Sequence, residues 1–546
     1  MYDERIPVLI VGGGLVGLSA AAFLAACDVM CLLVERHPDL LIHPRARSFT
    51  PRTVELYRQI SLEPAIRAAS FASGDRFEWV PVRAETLASE EYAAVEDQED
   101  DEGFGNASPS PFAPIDQDKL EILVREKAET LGADVRFSTE LTSFEQDDRG
   151  VTAVLEDRQT GAERTVRADY LIAADGWDSP VRQRLGVGTD GPGPFSHTIT
   201  LMIDADLRPA LRGRRASIAY LQRPRLGTIL MAHDDAGRRW LFGTGYTPER
   251  GESVDDYTEE RCVELVRAAA GLPDVKVTIR PQIPGTDLKV LGFTIGAQVA
   301  QRYRVSRVFL VGDAAHIVPP TGGLGANTGI QDAHNLGWKL AAVLHGQAGP
   351  ALLDTYHDER HPVGLFTMGQ ALARWQSPIG TGSGADGEPL VDYRAVVFGY
   401  RYRSPAVLGA PEDTSPLLPE ELTGQPGTRA PHVAVTLGGR EISTIDLYGR
   451  GFVLLAGADG AAWVSAAERV GQRVGVPLDA YRFGVELAGA EGAAAHGIGT
   501  DSALLVRPDG FVAWRAEAAV EDPERELEQT LSRLLRQAPG TPREVA

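Results

Sequence analysis

Cysteine is scarce: Cys27, Cys31 and Cys262 are the three among 546 residues. Three thiols make no disulfide framework. Cys27 and Cys31 fall where a helix should end and a strand begin, so both read as small apolar residues, in a chain suited to a reducing cytosol. No C-x-x-C occurs and no cysteine follows Cys262, which excludes dithiol redox chemistry from the C-terminal part. The H-E-x-x-H zinc motif is missing, and no metal site is expected. Basic residues are in deficit, 54 against 76 acidic, for a formal net charge of -22. That argues against nucleic acid and other polyanionic partners. Part of the excess sits in Glu96 to Glu102, expected as a solvated loop. A long apolar span is also lacking. Residues 8–26 are uncharged, but glycines 12, 13 and 14 interrupt them and the flank MYDER is no signal-peptide n-region. No membrane partner is expected.

What is present points to a bound cofactor. The length implies two or three domains. Val8 to Val11 reads as a buried strand, followed by GGGLVG, Gly12-x-Gly14-x-x-Gly17, with Leu15 and Val16 opening a helix that runs to Ala26. The first glycine permits the tight turn, the second lets backbone approach a pyrophosphate, and the third lets helix pack on strand. A second strand, Val29 to Val34, ends at Glu35-Arg36, where an acid would bind ribose hydroxyls. This order predicts an ADP-containing cofactor without separating FAD from NAD.

Residues 43–60 begin as a loop and become a helix, with Thr53 as candidate cap and Leu56 and Ile60 inward. Arg45, Arg47 and Arg52 cluster there, either as a solvated basic loop or as a contact for cofactor phosphates or ring. Gln117 precedes an amphipathic helix carrying Arg125. Val135 to Phe144 and Val151 to Glu156 suggest a hairpin. Tyr170 to Arg182 is a strand ending at Asp175-Gly176, by itself an ordinary turn. From 183 to 295 strand-like runs suggest an antiparallel sheet. Tyr220, Trp240, Phe242 and Tyr246 are candidate pocket walls there, or plain sheet core. Ala351 to Arg374 reads as a helix, on which His361 and Arg374 are either exposed polar residues or site residues.

The richest stretch is 308–340. Apolar Val308 to Val311 ends at Gly312-Asp313, a Pro/Gly loop spans Pro319 to Gly325, and Ile330, Ala333, Leu336, Gly337 and Leu340 share a helix face. Asp313 could accept hydrogen bonds from a sugar-like hydroxyl chain. The N–H groups around Gly325, Ala326 and Asn327 could hold negative charge at the helix start.

GDAAH and PPTGGLGANTGIQDAHNLGWKL resemble the second flavin motif of the FAD-dependent aromatic hydroxylases, the group of p-hydroxybenzoate hydroxylase. GxGxxG, Asp175-Gly176 and Gly312-Asp313 match that family's motifs in order. The resemblance implies an α/β fold: a Rossmann-like FAD-binding domain over 1–182 and 296–400, with an inserted antiparallel-sheet substrate domain at 183–295. A linker at 401–431 and a C-terminal domain at 432–546 follow. The latter's element order resembles thioredoxin, without CxxC. PGTRAPH and GREISTIDLYGRGFVLL are similar to the branch acting on polycyclic aromatic polyketides.

By that resemblance Arg45, Gln117, Arg125, Asp175, Gly176, Gly323 and Gly325 contact flavin or NADPH, and Pro319 lies by the reacting oxygen. Arg45 and Arg374 are further catalytic candidates. The implied reaction uses non-covalent FAD, transient NADPH or NADH, and O₂, with a flavin C4a-hydroperoxide hydroxylating a phenolic ring. Baeyer–Villiger oxygenation and modification of an aromatic antibiotic stay open. A non-catalytic flavin carrier is the reading from another class. The protein is expected to be a cytoplasmic monomer or homodimer.

Overall fold

The computed structural model describes residues 2–40, 46–70, 81–92, 104–233, 237–283, 286–376, 389–489 and 491–537. Arg45 and the acidic run 96–102 lie outside the described residues.

Short runs rich in Val, Ile and Leu, buried on both faces, build a mainly parallel sheet, as such runs must when helices cover both sides. Its order is Arg304–Val305, Val308–Leu310, Glu163–Ala173, Glu4–Val11, Cys31–Val34, Asp134–Arg136. The hairpin Thr139–Asp147 and Gly150–Asp157 joins it by pairing with Glu163–Ala173. The helix Leu15–Ala26 has no polar face to offer solvent. It packs between the helices Gln117–Thr130 and Leu324–Leu344. The latter is buried almost all round, including Gln331, Asp332, His334, Asn335 and Lys339.

The second sheet is antiparallel around one long strand, Thr189–Asp204, flanked by Leu291–Ala300 and Arg239–Tyr246. Thr228–Ala232 and Ile218–Leu221 continue it. Its last strand, Pro81–Ala84, pairs parallel with Ile218–Leu221 and comes from a stretch without sequence signal. The helix Glu259–Ala270 covers one face. Helix Pro51–Gln59 is capped by Thr50, whose hydroxyl accepts from Thr53 N at 3.4 Å, rather than by Thr53. Pro51 at the first helical position moves the start three residues earlier than expected.

In the C-terminal unit, Leu478–Arg482, Phe452–Ala456, Ala503–Val506 and Val512–Ala516 form a sheet in that order. The first pair is parallel and the others antiparallel. The strand Leu478–Arg482 stops just before Gly484, whose positive φ turns the chain. Helices Ala461–Val474 and Pro523–Leu534 share one core with Trp338, Ala342 and Leu352 of the first unit. Among the described residues no helix is long and apolar enough to cross a membrane.

Candidate flavin site

Parallel register brings three loops to one edge. Val11 is opposite Val34 and Ala173, and Ala173 is opposite Leu310. The carboxyl ends of four strands therefore deliver Gly12, Glu35, Asp175-Gly176 and Gly312-Asp313 side by side, the place where open α/β sheets bind ligands.

Gly12 has φ +112°, and a Cβ there would lie 2.2 Å from Ala174 O. A Cβ on Gly17 would lie 2.0 Å from Gly12 O, so the first helix sits directly on the turn. Gly14 differs: its Cβ would meet nothing within 4 Å. It is the helix N-cap, with no side chain capping it. Open space before the helix start fits a pyrophosphate, with one N–H of the first turn, that of Leu15, taken by Glu121. Val16 packs on Gly312 and Gly329, and Leu15 N donates to Glu121 Oε1 at 3.0 Å.

Glu35 accepts from Gly13 N at 2.7 Å and from His37 N at 2.9 Å. Burial raises its pKa, but the His37 ring and these N–H groups outweigh burial and hold it below the ordinary value. Arg36 is exposed, with no partner among the described residues. Asp313 is likewise exposed and holds no hydrogen bond to another described residue, so both its oxygens can accept from a ligand. Its backbone is set by Asp332, a residue the sequence analysis missed. Asp332 accepts from Gly312 N at 3.3 Å and from Arg360 Nε at 2.7 Å, and meets His316 Nε2 at 2.7 Å. Burial opposes its ionisation, yet Arg360 and His316 keep its pKa lowered. The available signal was a run of polar residues on an otherwise apolar helix.

The helix Leu324–Leu344 starts at Gly323, φ +62°, with no side-chain cap. Asn327 is committed to the protein: its Oδ1 accepts from Thr50 N at 2.9 Å and its Nδ2 donates to Gly323 O at 2.8 Å. Only its backbone is free for the expected role. Pro319 is buried in the preceding turn. Arg374 comes to this loop from the helix Thr355–Gln376. Its Cδ lies 3.2 Å from where a Gly322 Cβ would be, while its guanidinium bonds Gln370 and Val391 O.

Other candidates take structural positions. Gln117 Oε1 accepts from Ala46 N at 3.2 Å and its Nε2 donates to Glu121 at 2.8 Å, so it fixes the chain at Ala46. Arg125 meets Asp39 at 3.4 Å and stacks on Phe137. Asp175 accepts from Ser179 Oγ at 2.6 Å and Val181 N at 3.0 Å, capping the short helix Pro180–Arg184. Gly176 has open space around it. Arg47 bonds Asp116 at 2.6 Å and the Ala232 carbonyl. Arg52 is buried between Glu55 and the Asp509 carbonyl, so it joins the C-terminal unit to the first and is no phosphate ligand.

Three expected pocket walls are corrected. Trp240 and Phe242 are fully buried on the face covered by Glu259–Ala270. Tyr246 shares their strand parity and packs with the same layer, near Tyr257. Period-two alternation places Tyr220 on the opposite face, with Ile229, Met231 and Leu241. His357 and His361 stand one turn apart, a spacing the sequence analysis overlooked. Among the described residues no group of three His, Cys, Asp or Glu could hold a metal.

Residues 5–371 match the family described as FAD binding domain, and 423–538 match aromatic-ring hydroxylase, C-terminal. The chain is 45% identical to tetracenomycin B2 monooxygenase-dioxygenase of Streptomyces olivaceus, over 97% of this chain and 99% of the relative. It is 42% identical to 4-methyl-5-nitrocatechol 5-monooxygenase of a Burkholderia species, over 98% of both. Its fold is similar to the crystal structure of aklavinone-11 hydroxylase with FAD and aklavinone: TM-score 0.90 and 39% identity, over 98% of this chain and 100% of that one. A glycine turn with open space before it, an acid at each of two strand ends and likeness along nearly the whole length lead to one conclusion: the chain belongs to the FAD-dependent aromatic-ring hydroxylases, a family of flavin monooxygenases.

Proposed function

We propose that the protein hydroxylates a polycyclic aromatic polyketide, using NAD(P)H and O₂, in the biosynthesis of an aromatic antibiotic. The observation that carries this reading is the convergence of Gly14, Glu35 and Asp313 at one sheet edge, within a fold like that of a hydroxylase solved with FAD and aklavinone. Bound FAD supplies the redox chemistry: it takes electrons from the nicotinamide and activates O₂.

The protein's own residues do the rest. The helix start after Gly14 receives the pyrophosphate, Glu35 the ribose hydroxyls and Asp313 the hydroxyl chain between phosphate and ring. The uncapped N-terminus at Gly325 and Ala326 favours negative charge on the flavin ring once it is reduced. Pro319, Gly323 and the Asn327 backbone shape the loop beside the ring, and Arg45 serves as a further cation for the cofactor. Arg374 brings a cation to the Gly322 loop, where it lowers the pKa of a phenol and raises the ring's nucleophilicity. Tyr220, Ile229, Met231 and Leu241 form the substrate-facing side of the antiparallel sheet. The C-terminal unit, with its β-α-β then β-β-α order and mixed sheet, is thioredoxin-like in layout and structural in role. The working form is a cytoplasmic monomer or homodimer.

The test is NAD(P)H consumption by the purified flavoprotein, with and without tetracyclic and angular polyphenols, followed by product mass spectrometry. Stimulated consumption with a gain of one oxygen supports hydroxylation. The 45% identical relative is named a monooxygenase-dioxygenase, which favours a second reading in which more than one oxygen is added. The oxygen count separates the two. No stimulation by any polyphenol would overturn the substrate assignment.

A further inference from the structure

The far end of the first helix, remote from the flavin edge, opens on a second cavity of 220 Å³. Twelve residues separate the helix ends, about 18 Å at 1.5 Å per residue. Phe23, Leu131, His334 and Trp338 give the cavity a flat apolar lining. The Phe23 and His334 rings meet edge to face at 4.9 Å, and the Trp338 indole N–H is spent on Asp509, at 3.1 Å. Burial, reinforced by Arg52, lowers the His334 pKa to about 3, so this wall is uncharged at neutral pH.

The polar lining has one sign. Lys127 and Arg450 border the cavity, and neither has an ion-pair or hydrogen-bond partner among the described residues. No lining residue is acidic, in a chain whose net charge is -22. Between aromatic wall and cations, Gln59 accepts from His334 Nε2 at 2.7 Å, while its own amide Nε2 is buried without a partner. An inorganic anion would leave the aromatic wall unused, and a neutral ring would leave the two cations and the amide donor unanswered.

We infer that this cavity binds a planar aromatic anion, a phenolate or carboxylate, at a site separate from the flavin site. The ring lies along Phe23 and Trp338, and its anionic group meets Lys127, Arg450 and the Gln59 amide. The inference is independent of the reaction proposed above.

Cys27 provides the readout. It lines the cavity and is partly exposed, whereas Cys31 and Cys262 are buried. Burial raises its thiol to about 11, so alkylation is slow and sensitive to cover. The full-length, FAD-loaded protein is treated with N-ethylmaleimide, and labelling of Cys27 is followed by peptide mass spectrometry. The probes are 1-hydroxy-2-naphthoate and uncharged 1-naphthol. Naphthoate at several times its Kd should slow labelling about five-fold or more, and naphthol should have little effect. The double variant Lys127→Glu/Arg450→Glu should keep FAD and basal NAD(P)H oxidation but lose the protection. Lys127→Gln alone should lose part of it, and serves if the double variant folds poorly. Unchanged labelling at the solubility limit of naphthoate, equal protection by naphthol, or full protection in a correctly folded charge variant would each overturn the site. Naphthoate held only at the flavin site would leave Cys27 labelling unaltered.

Discussion

Asp313 shows how much one side chain carries at the flavin edge. Its oxygens meet no described residue, so its removal costs the protein little and a ligand much. Asp313→Ala should fold normally and lose charge-assisted hydrogen bonds to FAD worth about 1.5–3 kcal/mol, a roughly 10- to 150-fold weaker Kd. Full flavin retention after gel filtration would show that the cofactor sits elsewhere. Two histidines make an opposite prediction about pH. Burial lowers His334 to about 3 and His496 to about 4, from an ordinary value of 6.5. In the unfolded chain both take up protons as pH falls through 6.5, while in the fold they resist until about 3 and 4. Stability is therefore fully present above pH 6.5 and drains away below it. The melting temperature should fall between pH 7 and 5, and His496→Gln should flatten that fall. An unchanged slope would place the acid sensitivity in other groups.

At the scale of elements, the turn into the first helix separates packing from binding. A Cβ on Gly17 would collide with Gly12 O at 2.0 Å, whereas one on Gly14 has open space. Gly17→Ala should lower stability by about 1–3 kcal/mol. Gly14→Ala should melt near the wild-type temperature but bind FAD less tightly. The comparison needs only thermal melts and flavin content, and the same phenotype in both variants would refute the division of roles. Farther along, Glu359 joins two helices to the last sheet. It accepts from Lys339 Nζ at 2.7 Å and from Arg507 at 2.6 and 2.9 Å. Asp509 completes the cluster through Arg507, Asn335 and Trp338. Removing one partner strands buried charge, so Glu359→Gln should cost about 3–5 kcal/mol in urea unfolding. A loss below 1 kcal/mol would mean the network is solvated.

For the whole molecule, the C-terminal unit is part of the flavin unit's core. Trp338 and Leu352 are buried against its helices, and Glu55 is paired with Arg429 in the segment leading to it. A chain ending at residue 431 should aggregate or lack flavin, because truncation uncovers that apolar surface and leaves Glu359 without Arg507. A soluble, yellow, active truncation product would make the unit dispensable.

The site was legible where chemistry and local backbone coincide. Gly12, Gly14 and Gly17 occupy a turn that sterics alone demand, and Gly312-Asp313 ends an apolar run too short for anything but a strand. Such signals lie within a few residues of chain, so the α/β class, the FAD cofactor and the family could be read from the sequence. Other features depend on residues hundreds of positions apart. Asp332 positions Gly312 only because helix and strand end meet. Arg52 reads equally as a solvated loop residue or a cofactor contact until Glu55 and Asp509 surround it. Trp240 and Tyr220 look alike as aromatic strand residues until pairing sends them to opposite faces. The sequence by itself determined the α/β class, the family and its FAD, because the glycine turn and strand-end motifs are encoded locally in the backbone. Tertiary structure alone decided which polar groups are buried partners and which face a ligand, because burial and charge pairing arise only when distant segments pack.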